Sequence, residues 1–85
     1  MRLDKFLKVS RVIKRRTVAN EAASAGRVSV NGRTAKPSAE VRAGDEVDIL
    51  MGGKHFRFRI ESVAEYVKKD DAAAMYTVLS GEQSP

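Results

Sequence analysis

The apolar spacing of this chain changes at Gly26, and that change sets the kind of fold open to it. Up to Gly26 the apolar residues recur at helical intervals; from Arg27 they alternate, Val28 and Val30 standing between Arg27, Ser29 and Asn31. Asn31-Gly32 follows directly. A two-residue connection of this type takes positive φ at both positions, the backbone of a tight β-hairpin. It predicts a strand through Val30 and a return through Thr34-Ala35, ended by Pro37-Ser38. Ala43-Gly44-Asp45 and Gly52-Gly53 predict two further turns. Val47 and Ile49 alternate with Glu46 and Asp48, and Phe56, Phe58 and Ile60 alternate with His55, Arg57 and Arg59. The result is a small antiparallel sheet of about four short strands.

Ahead of the sheet, Leu3, Phe6 and Leu7 predict a short amphipathic helix over residues 3–9, with Val12 and Ile13 anchoring the connector that follows. Thr17 stands where an N-cap would open a second helix. That helix has a narrow apolar face of Val18, Ala19, Ala22, Ala23 and Ala25, and Gly26 occupies the place of a left-handed C-terminal cap. Toward the C-terminus, Asp70 or Asp71 is placed to cap a short helix over residues 72–76. Thr77-Val78-Leu79 fits helix or strand equally, and residues 80–85 read as a flexible tail. The expected class is α+β: two short N-terminal helices packed on a small, twisted antiparallel sheet, with a short C-terminal helix.

At 85 residues the chain holds one domain, too small for a deep cofactor pocket and its walls. With no cysteine there is neither a disulfide framework nor a thiolate metal site. No apolar run reaches signal-peptide or membrane-spanning length, so the expected location is the cytoplasm. Charge is unevenly spread. Residues 1–20 carry seven cations against Asp4 alone, whereas the remainder carries nine cations and ten acids. Such local excess points to an anionic partner, nucleic acid or a membrane surface. The polar side of residues 3–9 has no bulky apolar residue to enter a bilayer, which disfavours the membrane.

Arg15 and Arg16 stand immediately before Thr17. The first turn of a helix presents free N–H groups and the positive end of its dipole, and arginine adds a planar fork that binds phosphate through two hydrogen bonds. Lys14 thickens that cluster, and Arg2, Lys5, Lys8 and Arg11 extend it if the two helices lie side by side. The expectation is one cationic plate gripping a phosphate backbone. Phe6 is the one aromatic in this region, and its spacing assigns it to the core, so structured RNA is favoured over base-stacked single strands.

Catalysis is poorly served. His55 is the only histidine and has no carboxylate at metal-motif spacing. Glu40, Asp45, Glu46 and Asp48 lack the ligand order of a calcium loop, and read as solvated charges that protect a sheet edge. Gly52-Gly53 is followed by no Lys-Ser/Thr helix. No enzyme activity, metal or cofactor is expected.

The ordered motifs Arg2-Leu3-Asp4-Lys5-x-Leu7, Arg16-Thr17-x-Ala19, Gly26-Arg27-Val28-x-Val30-Asn31-Gly32, Lys36-Pro37-Ser38 and Val41-x-x-Gly44-Asp45-x-Val47 resemble the S-four RNA-binding domain, named after small-subunit ribosomal protein four. The opening seventeen residues and Ala73-x-Met75-Tyr76 are further similar to small stand-alone members of that family that act in bacterial ribosome quality control. The resemblance implies an RNA-binding unit over residues 1–61, an extension over 62–79 and a tail beyond. It implies binding to an obstructed large ribosomal subunit, with contacts to its rRNA and to peptidyl-tRNA, in support of alanine tailing directed by a partner, RqcH. A monomer without a cofactor is the expected form. Arg2 and Arg16 are the leading RNA-contact residues by motif position, supported by Lys5, Lys8, Arg11, Lys14, Arg15 and Thr17. The alternative is a large-subunit recycling or assembly factor of the heat-shock type.

Overall fold

The computed structural model describes residues 1–80. Two helices, α1 (Leu3–Val9) and α2 (Arg16–Ser24), precede β1 (Val28–Val30), β2 (Arg33–Thr34), β3 (Glu46–Met51) and β4 (Lys54–Ile60); a 3-10 helix (Lys69–Met75) then leads into β5 (Tyr76–Ser80). The sheet order is β2-β1-β3-β4-β5, with every neighbouring pair antiparallel.

The turns form where the residues that tolerate them stand. Asn31 and Gly32 have φ of 52° and 84°, and Val30 pairs with Arg33 across them. Gly52 and Gly53, at 56° and 81°, join β3 to β4 in the same way. Helix α2 ends at Gly26, φ 78°, with the Arg27 N–H donating to the Ala22 carbonyl and the Gly26 N–H to that of Ala23. This double bond pattern closes the open carbonyls of the last turn.

One face of the sheet carries the core. Val28, Val47, Ile49, Phe58 and Ile60 are buried on it, and α1 covers them with Leu3, Phe6 and Leu7. Helix α2 enters this core through Ala19 and Ala23. The Phe58 ring lies between three others: Phe6 stacks on it at 6.2 Å between centroids, Phe56 is tilted at 5.6 Å, and Tyr76 meets it edge-on at 5.3 Å. The opposite face is mainly polar. Across it Arg57 reaches Glu46 at 3.4 Å and Asp48 at 4.0 Å, and the His55 ring meets Asp48 at 2.8 Å.

Five expectations change. The sheet has five strands, because Tyr76 to Ser80 pairs with β4. The helix expected over residues 72–76 is instead the end of a 3-10 helix, and Tyr76 is the first residue of β5. Ala72 and Met75 are buried three residues apart, on the same side of a three-residue turn, while the β-branched pair Thr77-Val78 suits the free edge of β4. Asp70 and Asp71 lie within the first turn rather than capping it; Lys68 holds the cap position. The acids of β3 protect no edge: β3 is the central strand, and its acids face basic residues of β4. Ser80 pairs with Arg57; the rest of the expected tail, residues 81–85, lies outside the described residues.

Candidate nucleic-acid interface

The interface is built around a buried acid. Asp4, 2 % exposed, sits in the first turn of α1. Arg2 grips it with both arms of its fork, Nε to Oδ1 at 3.2 Å and Nη2 to Oδ2 at 3.1 Å. Arg16 reaches Oδ1 from α2 at 3.4 Å, Asn20 donates to Oδ2 at 3.3 Å, and the Lys5 N–H to Oδ1 at 2.7 Å. One carboxylate thus fixes two arginines, one at the N-cap of α1 and one in the first turn of α2. Their side chains stay about half exposed, 50 % for Arg2 and 48 % for Arg16, so their remaining N–H groups face outward. Burial alone would push the Asp4 carboxyl up. Hydrogen bonds from Arg2 and Asn20, the charge of Arg16 and the Lys5 N–H outweigh it and hold the carboxyl below the usual aspartate range.

The two helices differ at their N-termini. In α1 the Leu3 N–H donates to the Ala39 carbonyl at 2.8 Å and the Asp4 N–H to that of Pro37 at 3.1 Å. The loop after β2 therefore occupies that end. In α2 no acceptor among the described residues meets the N–H groups of Arg16, Thr17 and Val18. The N-cap is Arg15, in extended backbone (φ −119°, ψ 131°), with no side-chain cap. Thr17 is consequently not the cap expected from the sequence: the cap stands two residues earlier, at Arg15, and Thr17 is the second residue of the helix. An arginine cannot accept the orphan N–H groups, so this end stays open to an external anion.

Of the seven cations expected to form one plate, five fall into two clefts. Arg2, Arg16 and Thr17 line the first, about 570 Å³, with Asp4, Asn20 and Glu21. A concavity of about 540 Å³ extends from Arg2 and Asn20 to Lys36 on the loop after β2. Lys8, Arg11 and Lys14 line another cleft, about 290 Å³, with Glu65, Tyr66 and Lys69. Lys5 lies between them on the ridge that runs through Arg2, Lys5 and Lys8 at three-residue spacing, and it is ion-paired with Glu65. Arg15 is exposed but lines neither cleft. The sequence reading missed Asp4 as organiser, Asn20, Lys36, Lys69 and Tyr66. For Asp4 a signal existed, an acid two residues after Arg2 in an otherwise cationic run; for Tyr66 and Lys69 there was none, because only the fold brings them to α1.

The acid dependence of Asp4 follows from its shift. A lowered carboxyl contributes stability above its unfolded value of about 3.9, and that contribution fades as pH falls through the lower folded value. Replacing Asp4 with Asn is expected to cost about 1–3 kcal/mol at pH 7. The gap from wild type should shrink toward pH 3. Urea unfolding at both pH values measures it, and a gap that does not depend on pH would remove the carboxylate from this role.

The fold and this cationic surface define a small α+β module of the RNA-binding class. The model of the S4 domain matches residues 1–47. The chain is 55% identical over 84 residues to the RQC P-site tRNA stabilizing factor of Listeria innocua, covering 99% of this chain and 91% of that protein. It is 51% identical over 83 residues to the protein of the same name from Bacillus subtilis, covering 98% and 96%. Among solved structures, the trimeric heat shock protein 15 of Vibrio cholerae superposes with a TM-score of 0.84 at 30% identity, covering 94% of this chain and 82% of that one. The chain belongs to the S4 domain family and, within it, to the family of the RQC P-site tRNA stabilizing factors.

Proposed function

We propose that this protein is a non-catalytic RNA-binding factor of ribosome quality control, acting in the cytoplasm as a monomer, that steadies peptidyl-tRNA on an obstructed large ribosomal subunit. The relatives' shared name, RQC P-site tRNA stabilizing factor, supplies the setting. The observation that carries the mechanism is the pairing of an open α2 N-terminus with two half-exposed arginines held by one buried acid. Backbone N–H groups and guanidinium forks that are already in place lose little freedom on meeting phosphates, and such contacts fix position without reading sequence. Arg2, Arg16 and Thr17 contact the backbone first, with Arg15 beside the helix start and Lys8, Arg11 and Lys14 on the second cleft. Lys5 contributes through its ion pair with Glu65. Holding the tRNA in place supports alanine tailing directed by RqcH on the same particle. No helix among the described residues is long and apolar enough to cross a membrane.

The test is recovery of the tagged full-length protein from cells, with its bound RNA and protein identified. Large-subunit rRNA, tRNA and RqcH, free of small-subunit RNA, is the expected set. Large-subunit rRNA without tRNA or RqcH would favour the recycling or assembly reading that the likeness to heat shock protein 15 keeps open. Recovery without RNA would overturn both.

A further inference from the structure

The cleft at the C-terminal end of α1 holds an aromatic ring that the fold does not use. Tyr66 is 82 % exposed, and among the described residues its ring stacks on no other and its hydroxyl makes no hydrogen bond. A single exposed aromatic needs no explanation in general. Here its surroundings supply one. Lys8, Arg11, Lys14 and Lys69 line the same cleft, and none of them makes an ion pair among the described residues. The one acid among the described residues that line it, Glu65, is already paired with Lys5. Four free cations therefore surround an unclaimed π face.

Arg11 adds a second observation. Its φ is 63°, in the left-handed region where glycine sits without cost and arginine is uncommon. Its N–H donates to the Lys8 carbonyl at 3.1 Å, which closes the end of α1 and keeps this conformation in place. A glycine would make the same turn more easily, so the turn itself does not explain the arginine; its side chain on the cleft does. Strain of this kind gathers at functional sites.

We infer that Tyr66 is a stacking platform for one unpaired base of the bound RNA, with Lys8, Arg11, Lys14 and Lys69 taking the phosphates on either side. The inference rests on the RNA-binding reading above and adds to it a contact with a base. At about 290 Å³ the cleft is smaller than pockets that enclose drug-sized ligands, and suits part of a nucleotide entered from one side. Folded RNAs offer such bases at loops and bulges, where they splay out and stack on aromatic side chains. The contact is tolerant of base identity, because every base has a π face.

The test compares full-length wild type, Tyr66→Phe and Tyr66→Leu for binding to purified large ribosomal subunits carrying peptidyl-tRNA, at several salt concentrations. Leucine keeps the apolar bulk and removes the ring. Tyr66→Leu is expected to bind roughly 5- to 150-fold more weakly with the salt slope unchanged, while Tyr66→Phe matches wild type. Both variants should melt with wild type, since the ring is outside the core. Short-wavelength crosslinking should join residue 66 to a single unpaired nucleotide in wild type and in Tyr66→Phe. Wild-type affinity in Tyr66→Leu overturns the platform and leaves the RNA-binding reading standing; so does a weakening that comes with a shallower salt slope. Failure of wild type to bind the subunits at all overturns the reading itself, and the platform with it.

Discussion

Replacing Phe58 with alanine is expected to destabilise the protein by about 3–5 kcal/mol, the range for truncating a fully buried phenylalanine. The ring is the point where α1, β4 and β5 meet, through Phe6, Phe56 and Tyr76. Its removal empties the centre of the core rather than a margin that could collapse. A chain of 85 residues has on the order of 4–13 kcal/mol of stability in all, so the loss is a large share of the total. Phe58→Leu should recover a large part of the loss, because it refills much of the volume. Urea unfolding followed by circular dichroism measures both. A loss below about 1 kcal/mol for Phe58→Ala would mean that the ring is not the centre of the core.

The second large effect is on binding. Removing Arg2 and Arg16 together, each to alanine, is expected to weaken association with large subunits by at least about 100-fold, since hydrogen bonds to charged groups contribute roughly 1.5–3 kcal/mol each. The slope of log affinity against log salt should fall by about 2, roughly one unit for each phosphate that is no longer neutralised. The double variant also leaves Asp4 buried with, among the described residues, Asn20 and the Lys5 N–H as its remaining donors. An uncompensated buried charge is destabilising in its own right. The informative version therefore carries Asp4→Asn as well, which removes the charge and should restore most of the stability without restoring binding. Wild-type affinity and slope in that folded triple variant would show that the arginines do not touch phosphate.

The parts of the molecule that were legible in the sequence are those whose cause is local. Asn31-Gly32 fixes the first hairpin by its own φ preferences, and Gly26 ends α2 for the same reason. Leu3, Phe6 and Leu7 mark the buried side of α1 by spacing alone. Strand β5 was not legible: five residues with no clear alternation adopt strand because β4 has a free edge, and that edge exists only in the folded sheet. The interface divides in the same way. The position of the cations is a fact of sequence. Which of them are taken up by acids depends on Asp4 being buried where α1 meets α2 and on Glu65 reaching Lys5 from sixty residues along the chain. Tyr66 gave no signal for the same reason, being remote in sequence from the helix it faces.

Ala19 and Ala23 are where α2 enters the core. Methyl groups of that size leave no slack, and Asp4 can hold Arg2 and Arg16 together only while the two helices stay that close. A bulkier residue at either alanine would prise the guanidinium groups apart without touching them. Evolutionary drift should therefore be restrained at these two plain positions as tightly as at the arginines whose spacing they set.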